Sequence, residues 1–581
     1  MGFRAPIRDI AFALRETAGL NQLLASDAFS GFDSDTLTAI LDAAGEFAEG
    51  VLAPLNRSGD VEGARFENGR VFAPAGFADA YRRYSEGGWT SLAASPEFGG
   101  QGLPRAVALA VFEIVHAASM SFGLCPMLSE AAIHLLTVHG SPAQKRRYLP
   151  ELVSGRWTGT MNLTEAQAGS DLALIRTRAE PDNGTFRVTG QKIFITWGDH
   201  DCADNIVHLV LARLPDAPEG TKGISLFLVP KRLVGEDGKA GAANALRPLS
   251  IEHKLGIHGS PTCVMSYEGA EAEMVGAPHQ GLALMFTMMN AARLNVGMEG
   301  VGIAERAFQQ ARDYALERRQ SRSPWSGEAP ARIVDLPDVR RMLLLMKAKT
   351  EAARAICLSA AIASDLAEHA ATAELREAAR LREELLVPVA KAWSTDIGVE
   401  VASLGVQVHG GAGFIEETGA AQYYRDARIA PIYEGTNGIQ AIDLVGRKLG
   451  LAGGAPIRAL LAEMRETAAG LDDRVIASPL AGGIDAVERA TAWLLDKRGS
   501  ADALAGATTY LKLLGDVTGG WLLAKAALAA AKSGDADFAA QKLALARFYA
   551  SQVLSSAAGL AQAAMSGARD LEAGGEGLRS D

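Results

Sequence analysis

At 581 residues the chain is longer than one hydrophobic core supports, so about three or four domains or large subdomains are expected. Hydrophobic residues at 48% and charged residues at 22%, with no long polar tract, exclude extended disorder. A net charge of −11 without any Lys/Arg block argues against a nucleic-acid-binding arm, and Cys125, Cys202, Cys263 and Cys357 are too scattered for a zinc or redox CxxC site.

The opening segment MGFRAPIRDIAFALRETAGL interrupts its apolar residues with charges and has no cleavage-like site, and Pro6 stands where myristoylation needs Ser or Thr. A cytoplasmic protein with no membrane partner is expected. From residue 7 to 154 the apolar residues recur at helical spacing, as in Leu37, Ile40, Leu41, Ala44 and Phe47. The stretch 107–126 is the most membrane-like, but Glu113 and His116 within it favour a buried helix.

Near Trp157 the texture changes to short alternating runs rich in β-branched residues, at 185–189, 192–196, 206–211, 224–229 and 263–267, with Asp182-Asn183-Gly184 as a hairpin signal. No helices interleave, which predicts a β-barrel or sandwich and not a βαβ sheet. Helical periodicity then returns over 282–316, 336–366 and 373–404, predicting a bundle, and an Ala-rich amphipathic stretch over 455–560 predicts further helices before a polar, Gly-rich tail after Ala568. The expected fold class is α+β, mainly α: a helical domain at 1–156, a β domain at 157–278, a helical bundle at 279–450 and a helical extension at 451–581.

Three separated segments carry the chemistry: Thr164-Glu165-Ala166-Gln167-Ala168-Gly169-Ser170-Asp171, Lys192-Ile193-Phe194-Ile195-Thr196 and Tyr433-Glu434-Gly435-Thr436. In this order and spacing they resemble the TExxxGSD, K-x-W-I-T and Y-E-G-T motifs of the acyl-CoA dehydrogenase family. Further segments match in the same frame: Asn290-Ala291-Ala292-Arg293, the run ending in Arg318-Arg319-Gln320, and Gln407-Val408-His409-Gly410-Gly411-Ala412-Gly413-Phe414. The likeness extends from about residue 35 to 450.

The resemblance implies FAD as cofactor and an acyl-CoA as substrate. Glu434 is implied to take the α-proton while flavin N5 takes the β-hydride. A carboxylate in a partly desolvated pocket gains basicity, which suits it to a weakly acidic carbon. Some relatives place the base one residue before the arginine matching Arg293, but Ala292 stands there and cannot act as one. Flavin contacts are implied for Met161, Leu163, Thr164, Gly169, Ser170, Phe194, Thr196, Arg318, Gln407, Gly411 and Thr436, and substrate contacts for Ser170, Asn290, Arg293, Tyr433 and Gly435. Phe194 replaces the usual tryptophan, keeping a stacking surface without the indole N–H.

Blander readings stand beside these. Glu165 and Asp171 are expected to be solvated or capping groups. The histidines at 253 and 258 are a weak metal signal, and His258 replaces an arginine common in relatives. Gly297, Gly300 and Gly302 follow a helical period and are expected to permit close helix packing. Arg425, Asp426 and Arg428 form an exposed-looking charge cluster expected to orient the Glu434 loop.

Two departures from the simpler family pattern stand out. The segment from Ser321 to Glu328 replaces the usual Phe-Gly after the flavin arginine, and about 130 residues follow the catalytic loop. Both resemble the branch that converts 3-(methylthio)propionyl-CoA to 3-(methylthio)acryloyl-CoA in dimethylsulfoniopropionate breakdown. A plain short or medium acyl chain stays open, because one methylene is worth only ~1–3 kcal/mol in an apolar pocket. The resemblance implies electron-transferring flavoprotein as acceptor; an acyl-CoA oxidase, and a flavin-bearing DNA-associated protein, remain alternatives. The extra helices are expected to cover a surface used for tetramer formation, leaving a homodimer.

Overall fold

The strands expected between 157 and 278 close on themselves. In the computed structural model, which describes residues 2–579, seven strands form one sheet in the order Leu246–Ile251, Thr262–Val275, Thr185–Thr196, Arg178–Asp182, Asn205–Arg213 and Trp157–Asn162. The remaining strand, Ile224–Pro230, pairs with both Asn205–Arg213 and Thr262–Val275, which completes a barrel. Its core gathers Val188, Ile195, Val210, Phe227, Cys263, Met265 and Tyr267. The runs at 185–189 and 192–196 are one continuous strand, because Gly190 at φ +152° lets the chain pass Thr177, whose Oγ1 would lie 2.5 Å from a Cβ there.

The chain divides into two compact units. One contains Glu46–Pro104 and Ala118–Asn295 and so holds the barrel; the other contains the residues up to Gly45, Arg105–Ala117 and everything from Val296. The apolar stretch 107–126 is not one helix: Arg105–Ala118 and Met120–His139 are separated at Ser119, whose backbone is extended. The long helices run Gly281–Glu317, Pro337–His369 and Ala373–His409, each slightly longer than the periodicity predicts.

Within the helical unit, glycines decide how closely helices cross. A Cβ at Gly297 would lie 2.6 Å from the Ala390 carbonyl oxygen, one at Gly300 2.4 Å from that of Ser394, and one at Gly302 2.9 Å from the Ala117 nitrogen. These glycines serve packing, as their helical spacing predicts. The same unit buries Arg354, which donates to Glu113 at 2.6 Å and Glu305 at 2.9 Å. Desolvation of these charges opposes the Coulombic gain of such a buried network.

The C-terminal helices Ala455–Ala469, Arg474–Asp496, Ala501–Ala530 and Ala536–Gln552 belong to this unit too. Trp393 of the Ala373–His409 helix donates from Nε1 to Asp516 Oδ1 at 2.9 Å, and Gly515 leaves room for its indole. The segment expected to be a polar tail includes a short helix, Arg569–Gly577.

Candidate active site

Two of the three motifs are tied together by a buried ion pair. Lys192, in the Thr185–Thr196 strand, donates 2.9 Å hydrogen bonds to the Leu163 carbonyl and to Glu165 Oε1. Glu165 also accepts from the Thr177 hydroxyl at 2.6 Å and from the Arg176 and Thr177 amides at 2.7 and 3.0 Å. Burial alone would raise the Glu165 carboxyl; Lys192 and these donors hold it down to about 2. Burial lowers the Lys192 ammonium to about 8 against the pull of Glu165. The expectation that Glu165 is solvated is therefore corrected, because its neighbours supply a complete set of donors. Asp171 does cap, accepting from the Ala173 amide at 3.0 Å.

This pairing fixes the line of flavin-motif residues. The Ile193 amide donates to the Thr164 carbonyl at 2.9 Å, so Leu163 and Thr164 lie half-buried beside the strand that carries Phe194 and Thr196. Met161 and Thr196 are half-buried, while Gly169 and Ser170 are exposed, with open space around Gly169. Phe194 is 60% exposed at φ +60°, a left-handed conformation that a bulky residue adopts only under constraint. Such a ring, beside small and hydroxylated residues, fits stacking against a planar heterocycle. Nearby Trp197 does not restore the missing indole donor at 194: it is buried, and its Nε1 donates to the Ser121 carbonyl at 3.3 Å.

In the same unit, Asn290 Oδ1 accepts from Arg293 at 3.2 Å, the Arg293 guanidinium lies 5.7 Å from the Phe286 ring centroid, and Ala292 is fully buried. His258 Nδ1 lies 3.0 Å from Asp60 Oδ1 and its Nε2 is 2.9 Å from the Lys254 carbonyl oxygen, which gives it a structural role.

The helical unit carries the catalytic-loop motif. Glu434 and Gly435 both have positive φ, at +55° and +85°. Only glycine adopts this conformation freely, so at Glu434 the surroundings must enforce it. Thr436 caps the Asn437–Asp443 helix through Oγ1, and Asn437 Nδ2 donates to the Ala392 carbonyl and to Asp396. Lys391, fully buried, donates at 2.9 Å to both the Gly435 carbonyl and Asn437 Oδ1. The Tyr433 hydroxyl donates to Glu299 Oε2.

Arg318, Gln407 and Gly411 are exposed, and nothing lies within 4 Å of a Cβ built at Gly411. The segment from Ser321 to Glu328 folds back through an Arg319–Glu328 ion pair at 2.6 Å, and its Trp325 lies under the Arg340 guanidinium at 4.1 Å. The charge cluster expected to be exposed is largely not: Asp426 is buried, Arg425 is half-buried and pairs with Glu416 at 2.9 Å, and only Arg428 is exposed. Lys391 and Glu299 meet the loop directly.

Comparison with known proteins gives matches along most of the chain. Family models described as the acyl-CoA dehydrogenase N-terminal, middle and C-terminal domains match residues 34–156, 160–270 and 279–449. The chain belongs to the acyl-CoA dehydrogenase family. A further model, described as acetyl-CoA dehydrogenase C-terminal like, matches residues 460–573. The 3-methylmercaptopropionyl-CoA dehydrogenase of Ruegeria pomeroyi is 49% identical over 95% of this chain and 96% of its own. A butyryl-CoA dehydrogenase of Syntrophomonas wolfei is 36% identical over 94% of each chain. Among solved structures, Caenorhabditis elegans ACDH-11 in complex with C11-CoA shares the fold with a TM-score of 0.78 at 23% identity, covering 95% of this chain and 92% of that one.

This acyl-CoA dehydrogenase is accordingly an oxidoreductase that acts on the CH–CH bond of acyl-CoA thioesters with FAD as cofactor. Its exposed Phe194 ring and the open glycines are consistent with that cofactor. Sequence reasoning missed Glu299 and Lys391. Their signal was a charged side chain at a core-facing helical position, visible in Val296-Gly297-Met298-Glu299-Gly300-Val301 and Pro388-Val389-Ala390-Lys391-Ala392-Trp393.

Proposed function

We propose that Glu434 is the base that removes the α-proton of the acyl-CoA and that 3-(methylthio)propionyl-CoA is the preferred substrate. The observation carrying the base is the constraint on its loop: Glu434 is kept at φ +55° between the Tyr433–Glu299 bond and the Lys391–Gly435 bond. Ala292, at the alternative position, has no acidic group. Bound FAD supplies the acceptor for the β-hydride. Leu163, Thr164, Ser170, Phe194 and Thr196 would hold it, with Met161, Gly169, Arg318, Gln407, Gly411 and Thr436 as further contacts. Asn290, Arg293, Tyr433 and Gly435 would orient the thioester, and the Glu434 amide would help hold the enolate oxygen. Removing one such donor typically costs ~3 kcal/mol.

The substrate reading is supported by the 49% identity to the Ruegeria enzyme across nearly the whole of both chains. The butyryl-CoA dehydrogenase relative keeps a plain short chain as the second reading. Electron-transferring flavoprotein as acceptor, a cytoplasmic homodimer and the four-domain division at 156, 278 and 450 complete the proposal. An acceptor other than oxygen is tested by exposing the reduced enzyme to air: rapid peroxide release would make it an oxidase. The acidic total argues against DNA binding.

The deciding experiment is anaerobic flavin bleaching by propionyl-, butyryl-, octanoyl- and 3-(methylthio)propionyl-CoA. The methylthio thioester is expected to give the highest kcat/KM, and a higher value with butyryl- or octanoyl-CoA would overturn the substrate reading. Glu434→Gln is expected to retain flavin and bind acyl-CoA without bleaching; bleaching at the parent's rate would overturn the base.

A further inference from the structure

Glu299 is a buried carboxyl that neither the proton transfer nor the hydride transfer uses. It lies on the Gly281–Glu317 helix at 0% exposure, flanked by Gly297 and Gly300, whose missing side chains let this helix approach Ala390 and Ser394 of the Ala373–His409 helix. One oxygen, Oε2, is bonded to the Tyr433 hydroxyl; the other, Oε1, is buried and has no hydrogen-bond partner. A buried carboxylate ion with one oxygen that accepts from no protein donor is disfavoured relative to the neutral acid. Tyr433 immediately precedes Glu434 in the chain.

The elements packed against this helix bring further titratable groups to it. The catalytic loop presents Tyr433 and the negative charge of Glu434, which opposes ionisation of Glu299, and the Ala373–His409 helix presents the Lys391 cation, which favours it. The Arg105–Ala118 helix, packed at Gly302, presents His116, whose ring nitrogens are buried and unpartnered and which burial lowers to about 3, so it is neutral. Cys357 Sγ lies near Gly297 and its thiol is pushed up to about 12 by burial, so it too is uncharged. The Glu113–Arg354–Glu305 network lies further along the helix and is internally paired. For Glu299 itself, burial, offset in part by the Tyr433 bond, raises the carboxyl to about 8.

We propose that Glu299 is a positioning residue for proton abstraction: as a neutral acid it anchors Tyr433 and so the Glu434 backbone, and its ionisation converts the enzyme to a form with a stronger base. The inference rests on Glu434 being the base. When Glu299 releases its proton to solvent, a second negative charge stands near Glu434 and raises its proton affinity. Two interacting carboxyls then titrate as a pair, and the upper step is the one Glu299 dominates. This upper step is legible in a pH profile, which a purely structural contact would not shape.

The test is the pH dependence of kcat/KM for anaerobic flavin reduction by butyryl-CoA, measured on the holoenzyme and on variants shown to retain flavin. The wild type is expected to show an upper inflection near pH 8, with the rate rising through it. Glu299→Gln keeps a neutral hydrogen-bonding group against Tyr433 and cannot ionise, so the inflection disappears. Tyr433→Phe removes the bond that favours the Glu299 anion, so the inflection moves to higher pH. An unchanged inflection in either variant, or none in the wild type, would overturn the proposal. Glu434→Gln separates the two readings: loss of bleaching there supports the base whatever Glu299 does, while wild-type bleaching by Glu434→Gln overturns the base reading and this inference together.

Discussion

Lys391 Nζ lies 2.9 Å from the carbonyl oxygen of Gly435, the residue that follows the proposed base. The same ammonium reaches Asn437 Oδ1 at 2.9 Å, and Asn437 is held by Ala392 and Asp396, so one buried cation ties the loop to the Ala373–His409 helix at two points. Without it the Gly435 carbonyl loses its charged donor and the loop loses a clamp on a strained backbone. Lys391→Met is expected to lower the rate of flavin reduction by up to about 10²-fold, the scale of a small misplacement of a reacting group. Stopped-flow bleaching with flavin content measured in parallel checks it; a wild-type rate in a flavin-loaded variant would remove Lys391 from the loop's support.

The Lys192–Glu165 pair makes a stability prediction on the flavin side. Lys192→Met leaves Glu165 buried without its cation, and breaking a buried pair in this way costs about 3–5 kcal/mol. It also frees the Leu163 carbonyl, so flavin should be lost on gel filtration. Glu165 has a folded value of about 2 against an ordinary 4.5, so its contribution is present above pH 4.5 and is lost as pH falls toward 2. The stability gap between wild type and Lys192→Met is therefore expected to narrow on acidification over that window. A gap that is constant with pH in thermal melts would contradict the assignment.

These residues mark how far the fold and site are legible in sequence. The barrel and the long helices follow from periodicity, because alternation and 3.6-residue spacing report directly which face is buried. The proposal for Glu434 comes from its motif and from the empty position at Ala292. Glu299 and Lys391 are not legible in sequence, because a lone charge in a helical pattern resembles a solvated face until the opposing helix is known. The same ignorance of neighbours made Asp426 look exposed and Glu165 look solvated. Ser119 breaks an apolar run without a proline or glycine, so only tertiary packing reveals the boundary there.

Glu299 also links stability to pH, with the opposite sign to Glu165. Its folded value of about 8 lies above the ordinary 4.5, so its stabilising contribution is complete below pH 4.5 and is lost as pH rises to about 8. Between those values the unfolded chain has released the proton and the folded chain has not. Glu299→Gln cannot ionise in either state. The difference in Tm between Glu299→Gln and wild type should thus shift in favour of the variant between pH 5 and pH 8. A pH-independent difference would mean that Glu299 is charged in the folded protein at neutral pH.

The glycine crossing beneath Glu299 makes the last prediction. A Cβ at Gly300 would meet the Ser394 carbonyl oxygen at 2.4 Å and its carbon at 2.7 Å, both backbone atoms that cannot rotate away. Gly300→Ala should therefore force the two helices apart, costing about 1–3 kcal/mol by overpacking. Because Glu299 and Lys391 sit on these facing helices, the displacement should also slow flavin reduction. Gly482 provides the contrast: it lies exposed within the Arg474–Asp496 helix with nothing within 4 Å of an added Cβ. Gly482→Ala should stabilise by about 0.4–1 kcal/mol, through reduced unfolded-chain entropy, and leave flavin reduction untouched. Thermal melts and bleaching rates of the two alanine variants, compared side by side, distinguish close backbone packing from the general helix preference for alanine: equal shifts in Tm would refute the crossing.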